Sequence, residues 1–273
     1  MPADNPAILL IAYGSCLASG LDALRHFETR VRQRYPGFPV RWAYTSEHIR
    51  NRLAVQVRRK SDSVVKAIRR LVLERFSPIV AQPLQIVSAT ENEVVEGLTQ
   101  SVSAELGVSV SVGAPLLATE ADVHLCVQAM LAHLPEGRRA EEDVIFVGHG
   151  ASHAAQARYA ELCRLASAMD GGIHVATLSG NMPLEGLLPG LTSHRVWLVP
   201  LLSSVGKHTV SDIAGSDPDS LKSFLERHGH ECLAVKEGVL VHKAFADIWL
   251  DHLEQAMARL GLGCSCAGRT TPP

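Results

Sequence analysis

Two short apolar runs constrain this chain more than any other feature of it. The first, Ala7 to Tyr13, stops at Gly14; the second, Val144 to Gly148, stops at His149 and Gly150. Runs of this length, rich in Ile, Val and Leu and lacking polar alternation, suit strands covered on both faces of a parallel sheet. A glycine at the strand end permits a sharp turn and close approach of a ligand to the backbone. Open α/β sheets bind ligands at the carboxyl ends of their strands, so His149 is a candidate metal ligand or general base. A packed or hydrogen-bonded loop histidine is the alternative reading of the same residue.

Shorter matches extend the parallel between the two runs. Ile11-Ala12-Tyr13-Gly14 aligns with Val147-Gly148-His149-Gly150, Ala43-Tyr44-Thr45-Ser46 with Ala176-Thr177-Leu178-Ser179, and Gln82-Pro83-Leu84 with Val199-Pro200-Leu201. A duplicated unit follows, giving two parallel-sheet lobes with a cleft between their carboxyl edges. Tyr13 stands where the second copy has His149, so the copies differ in chemistry. In the first copy, strands are expected at 7–13, 40–44, 79–87 and 108–112. Helices are expected at 17–35, 48–76 with a break near Ser61, 91–106 and 120–133. In the second, strands are expected at 144–148, 173–178, 195–199 and 232–236. Helices are expected at 152–168, 218–228 and 242–260, with a short helical stretch after Pro183. The charged segment after Pro135-Glu136-Gly137 suggests a boundary, with lobes at 1–138 and 139–260 and a disordered tail over 261–273.

A chain of 273 residues can bury one large core or two modest ones, and 47% hydrophobic with 20% charged residues argues against extended disorder. A net charge of -2 gives no bulk attraction to nucleic acid or membrane. The Ala7–Ala12 run is too short to cross a bilayer and has no basic segment before it, so a cytoplasmic location is expected. The six cysteines, Cys16, Cys126, Cys163, Cys232, Cys264 and Cys266, lack the CxxC spacing of a zinc site and read as reduced thiols. A homo-oligomer is compatible with all of this.

A second histidine completes the chemical argument. His208 lies beyond the strand ending at Val199-Pro200, as His149 lies beyond its own strand. If the two strands are neighbours, both imidazoles overhang one edge and can share a divalent first-row transition metal. Chance placement among 13 histidines is the competing account. Glu91 and Glu93 could bring a carboxylate to the cleft, although acids at a helix start are also favourable dipole partners. The basic residues Arg50, Arg52, Arg58, Arg59, Lys60, Lys66, Arg69 and Arg70 could meet a polyanion but read more readily as solvated helix faces. Cys264 and Cys266 make a poor isolated metal site in a flexible tail. Gly14-Ser15-Cys16 is no GxSxG elbow, and no glycine-rich phosphate loop is present, which counts against hydrolase and nucleotide-binding readings.

These segments together carry a resemblance. AILLIAYGS, AYTS followed by His48-Ile49, QPLQIV, VIFVGHG, KHTVSDIAGSDPDSLKSFLERHG and GVLVHKAFADIWLDHLEQA resemble the anaerobic-pathway sirohydrochlorin cobaltochelatases, class II tetrapyrrole chelatases, over roughly residues 7 to 260. The resemblance implies an α/β fold of two similar lobes, each a mostly parallel sheet flanked by helices, with the active-site cleft between them. It implies insertion of Co2+ into sirohydrochlorin, or a closely related precorrin, in cobalamin biosynthesis, without an organic cofactor. The metal-site histidines of the family fall on His149 and His208, and its acidic residue after the QPL strand falls on Glu91. Where the family often carries a further glutamate, after the strand matching HVATL, this chain has Ser179 and Gly180. A water held by Ser179, substitution by Glu91 or Glu185, and an altered metal preference are the alternatives.

Metal insertion needs a weakly held divalent ion, a macrocycle presented by its face, and removal of two pyrrole protons. Neutral imidazoles bind such ions without a thiolate's grip, and His149 is the expected proton acceptor with Glu91 as base or relay. Tyr13, Ser15, Ser179 and Lys207 are expected on the substrate side, Lys207 meeting carboxylates of the macrocycle. Fe2+ insertion for sirohaem is the near alternative, since ligand type separates Fe2+ from Co2+ poorly. A non-catalytic metal or tetrapyrrole carrier is the distant one. A histidine phosphoryl transferase would need an arginine pocket that Gly148-His149-Gly150 does not supply.

Overall fold

A computed structural model of the chain describes residues 5–56, 60–88, 90–150 and 153–262, except the side chains of residues 90–92 and 153–154. It contains two four-stranded parallel sheets with the same strand order. In the first, β1 (Ala7–Ala12) lies between β2 (Val40–Tyr44) and β3 (Ile79–Pro83), and β4 (Val110–Val112) flanks β3. In the second, β5 (Asp143–Gly148) lies between β6 (Ile173–Thr177) and β7 (Arg195–Pro200), and β8 (Glu231–Ala234) flanks β7. The registers superimpose as well: Ala12 pairs with Tyr44 and Ile11 with Pro83, as Gly148 pairs with Thr177 and Val147 with Pro200. This is the alignment read from the sequence, so the duplication is structural.

The absence of polar alternation in the central strands has its cause in the layers. Ile8, Leu10 and Ala12 of β1 and Val144 and Phe146 of β5 turn into one apolar core that runs between the two sheets. The alternate residues, Ala7, Leu9 and Ile11, enter a second core under α3 (Val64–Leu73) and α4 (Thr90–Leu106). Ile145 and Val147 enter a third on the outer face of the second sheet. Both faces of each central strand are thus dry, and period two is invisible in a sequence where every position is apolar.

The shared core is filled by helices that cross between lobes. α1 (Ala18–Arg34) supplies Leu24, Phe27 and Val31 to it. α5 (Glu120–Ala132) packs on α6 (His153–Met169), and α8 (Lys243–Ala258), from the far end of the chain, packs on α5, β3 and β4. Trp249 of α8 is completely buried, and Trp249→Ala would remove about 3–5 kcal/mol. Polar ties fix the same helix: His252 Nε2 lies 3.0 Å from Asp122 Oδ1 on α5, and Arg259 donates to the Val112 carbonyl at 2.6 Å. Asp122 also closes a capping box with Thr119 at the start of α5.

Local departures from the expected elements have physical reasons. The strand expected over 79–87 ends at Pro83, which has no N–H for a further rung. Residues 85 and 86 accept instead from the N–H groups of Leu116 and Leu117. The break near Ser61 separates α2 (Glu47–Gln56) from α3, with the Asp62 carbonyl accepting from Tyr44 N–H and Ser63 capping α3. α7 is confined to Leu221–Arg227. Residues 263–273, including Cys264 and Cys266, lie outside the described residues. Among the described residues no helix is long and apolar enough to cross a membrane.

A candidate metal centre at the carboxyl edge of the second sheet

β5 and β7 are hydrogen-bonded neighbours, so both strands end at the same edge of one sheet. His149 follows β5 at a corner held from three sides. The N–H and Oγ of Ser179 both donate to the His149 carbonyl, at 3.0 and 2.9 Å. Leu178 N–H donates to the Gly148 carbonyl at 3.0 Å. Gly150 turns the chain with φ +94°, and a Cβ there would lie 2.0 Å from the Ser179 carbonyl oxygen. A Cβ on Gly148 would meet the Tyr159 ring of α6 at 2.5 Å. Both glycines around the histidine are therefore required by space, and Gly150 by conformation too. Burial pushes the Tyr159 hydroxyl up, more than the Gly150 N–H it accepts from pulls it down, so this brace is a neutral phenol.

β7 delivers His208 by a different route. Leu201 N–H donates to the Val147 carbonyl at 2.8 Å, after which residues 202–206 lead into a single π-helical turn, His208–Ile213. The Ala214 N–H reaches back to the Thr209 carbonyl at 3.1 Å. Such wide turns are uncommon and recur at functional sites. This one brings the His208 ring to within 4.7 Å of the His149 ring, centroid to centroid, with planes at 81°. His208 Nδ1 lies 2.5 Å from Asp212 Oδ2, one helical turn on. A carboxylate only accepts, so Nδ1 carries the hydrogen and Nε2 keeps the lone pair that a metal requires. The His208 side chain is 42% exposed, accessible to an ion from solvent.

The remaining residues singled out in the sequence separate into groups. Lys207 is exposed and adjoins His208. Tyr13 occupies the equivalent corner of the first sheet and is 54% exposed. Ser179 is beside His149, with its hydroxyl on the backbone of that residue. Ser15, expected on the substrate side, is 1% exposed; its hydroxyl accepts from Leu17 N–H and donates to the Val205 carbonyl at 2.7 Å. That hydroxyl is used within the protein. Glu91 lies in the first turn of α4, but its side chain falls outside the described residues, while Glu93 and Glu185 are exposed. Among the described residues no group of three or more His, Cys, Asp or Glu side chains could hold a metal. Arg58 and Arg59 also fall outside. Arg50 donates to the Tyr44 and Thr45 carbonyls, Arg69 pairs with Glu105 and Arg70 with Asp62. Half of the basic run's described members thus serve the fold. Asp212 was missed from sequence, although its i,i+4 spacing from His208 was the available signal.

Over residues 6–258 the sequence matches the cobalt chelatase (CbiK) family. It is 42% identical over 264 residues to the sirohydrochlorin cobaltochelatase CbiKC of Nitratidesulfovibrio vulgaris, covering 95% of this chain and 93% of that one. It is 28% identical over 218 residues to the sirohydrochlorin cobaltochelatase of Salmonella typhimurium, covering 79% and 82% of the two chains. The fold is similar to that of SirB from Bacillus subtilis with Fe3+, at TM-score 0.64 and 14% identity over 94% of this chain and 98% of that one. A family match spanning nearly all of both lobes, joined to 42% identity with a near full-length relative, places this chain in the CbiK cobalt chelatase family.

Proposed function

We propose that this protein inserts Co2+ into sirohydrochlorin, with His149 and His208 holding the ion that is transferred. The observation that carries the proposal is the imidazole pair, 4.7 Å apart at one sheet edge, in a chain that matches the family across both lobes. The names of the two relatives supply the macrocycle and the metal.

The reaction exchanges Co2+ for two pyrrole protons. Two neutral imidazoles leave the remaining coordination positions of the ion to water and then to pyrrole nitrogens, so the ion is delivered rather than trapped. Asp212 fixes His208 with its hydrogen on Nδ1, which keeps Nε2 available as ligand. His149 accepts a proton as its hold on the ion loosens, and Glu91 is the second acceptor or relay. Lys207, exposed beside His208, meets a carboxylate at the rim of the macrocycle.

The test is anaerobic insertion of Co2+ into sirohydrochlorin followed by absorbance, with wild type, His149→Ala and His208→Ala. Wild type should convert many macrocycles per chain, and each variant should lose at least about a hundredfold in turnover. One macrocycle retained per chain without release would replace the enzyme with a carrier. Unaffected variants would remove the histidine pair from the mechanism.

A further inference from the structure

The segment that carries His208 to the site, residues 202–206, is tied from two directions. Two ties are made by the turn before α8: Val239 N–H donates to the Leu202 carbonyl at 2.8 Å and Leu240 N–H to the Ser203 carbonyl at 3.1 Å. Another comes from the opposite lobe. Ser15, just past the end of β1, donates its hydroxyl to the Val205 carbonyl at 2.7 Å across 190 residues of chain. Because the Ser15 oxygen accepts from Leu17 N–H at 3.1 Å, its own hydrogen is directed at Val205. Both residues are buried, Ser15 at 1% and Val205 at 3% exposure, so no water replaces the bond. Gly20, in the first turns of α1, makes room for the same contact. A Cβ there would stand 2.3 Å from Ser15 Oγ and 2.4 Å from the Val205 oxygen.

We infer that Ser15 is a positioning residue for His208, through which the first lobe sets the spacing of the imidazole pair in the second. Val205 is three residues before His208, and Gly206 between them accepts the first backbone bond of the turn, from Val210 N–H at 3.2 Å. A shift of the Val205 carbonyl is therefore passed to the turn that holds the ring. Residues behind metal ligands typically change affinity or activity by roughly 10–100-fold. The inference rests on the histidine pair proposed above as the metal site, but it can be read without any metal.

The experiment uses the full chain with Ser15→Ala, Gly20→Ala and Ser167→Ala. Ser167 donates to the Ile173 carbonyl at 2.6 Å and controls for the loss of an equivalent side-chain bond to backbone elsewhere in the second lobe. The imidazole NMR signals of His149 and His208, assigned with their alanine variants, report the ring pair in the metal-free protein. Titration with Co2+ alone, followed by its visible ligand-field bands, reports affinity and geometry. Ser15→Ala and Gly20→Ala should both move the His208 signals and weaken Co2+ binding by about tenfold, while Ser167→Ala lowers the melting temperature and moves neither. If Ser15→Ala and Gly20→Ala only lower the melting temperature, as Ser167→Ala does, the inference is overturned. Wild type that binds no Co2+ would count against the metal-pair reading, and the His208 signals would still decide the role of Ser15.

Discussion

At the end of β1 the N–H groups of Thr45 and Ser46 bond to the carbonyls of Ala12 and Tyr13, at 2.9 and 3.4 Å. At the end of β5 those of Leu178 and Ser179 bond to the carbonyls of Gly148 and His149, both at 3.0 Å. Leu84 N–H reaches Ile11 as Leu201 N–H reaches Val147, each at 2.8 Å, and each corner turns on a glycine with positive φ. The backbone corner is common property of the two lobes. What differs is the side chain placed on it, tyrosine against histidine, and the path that follows the neighbouring strand. After Pro83 the first lobe continues to α4 without a histidine, whereas after Pro200 the second lobe delivers His208. Both corners can present a side chain, and only the second lobe adds a loop that sets a further imidazole beside it.

Moving the histidine from one corner to the other is expected to have the largest effect. His149→Ala should lower turnover by about 10²–10⁴-fold. Adding Tyr13→His rebuilds the same corner in the first lobe but offers the metal no second imidazole. Steady-state insertion of Co2+ by the double variant should therefore stay as low as that of His149→Ala. Recovery within about tenfold of wild type would mean that the lobes are interchangeable, contrary to the argument.

The glycines test the corners themselves. A left-handed residue other than glycine costs about 1–2 kcal/mol, and both Gly14 and Gly150 pay it when changed to alanine. At Gly14 the new Cβ meets Ile49 Cγ2 at 2.8 Å and the Tyr44 ring at 3.2 Å, side chains that yield more readily than backbone. At Gly150 it meets a backbone carbonyl at 2.0 Å, which moves only if the Ser179 corner moves. Urea unfolding should give about 1–2 kcal/mol for Gly14→Ala and about 3–4 kcal/mol for Gly150→Ala, with overpacking added to strain. Equal losses would show that the two corners are equally tight.

The duplication, both sheets and the edge carrying the histidines were legible in the sequence because each rests on local pattern. Short β-branched runs, glycine at strand ends and Pro83 matched to Pro200 all survive without knowledge of the partner. The tie made by Ser15 is illegible for the complementary reason. Beside Gly14 at a strand end the residue reads as a ligand-facing serine, and nothing local indicates that Val205, 190 residues away, takes its hydrogen. The crossing of α8 onto β3 and β4 is equally nonlocal, since its apolar stripe fits any core. Asp212 was within reach, at a helical spacing from His208, but the segment reads as a loop and a π-helical turn has no sequence period of its own.

The amino ends of the central strands extend the comparison to acid stability. Ala7, in β1, corresponds to Asp143 in β5, since they pair with Ile79 and Val196 at equivalent registers. Asp143 accepts from the N–H groups of Thr192 and Ser193, each at 2.9 Å, and its Oδ1 lies 3.0 Å from His174 Nε2. Burial alone would raise this carboxyl, but the hydrogen bonds from Ser193, His174 and Thr192 outweigh it and hold it below the usual carboxylate range. The sign follows: the folded state favours the charged form, so the stabilisation is complete above about pH 4, the unfolded value. It is lost as pH falls through the depressed folded value. Asp143→Asn should cost about 2 kcal/mol at neutral pH and flatten the fall in urea midpoint below about pH 4. An unchanged acid slope would assign that fall to other carboxylates, such as Asp170 on Arg138.

Within the second lobe two His–Asp pairs stand at opposite ends of the sheet, and their surroundings predict different consequences. His174 with Asp143 is enclosed, at 13% and 2% side-chain exposure, whereas His208 with Asp212 is open, at 42% and 38%. The enclosed pair ties β6 to β5, and Asp143 ties both to the loop before β7, so its loss is felt by the whole fold. The open pair is local to one π-helical turn, so its loss is felt by the orientation of one ring. Asp212→Ala frees the His208 ring to rotate and to move its hydrogen to Nε2, and turnover should fall about tenfold, with the KM for sirohydrochlorin unchanged. Asp212→Asn still offers an oxygen to Nδ1–H and should recover part of that loss. His174→Ala should instead lower the unfolding midpoint while leaving turnover per folded chain intact. Turnover lost with His174→Ala and kept with Asp212→Ala would reverse the two roles and move the active edge to the other end of the sheet.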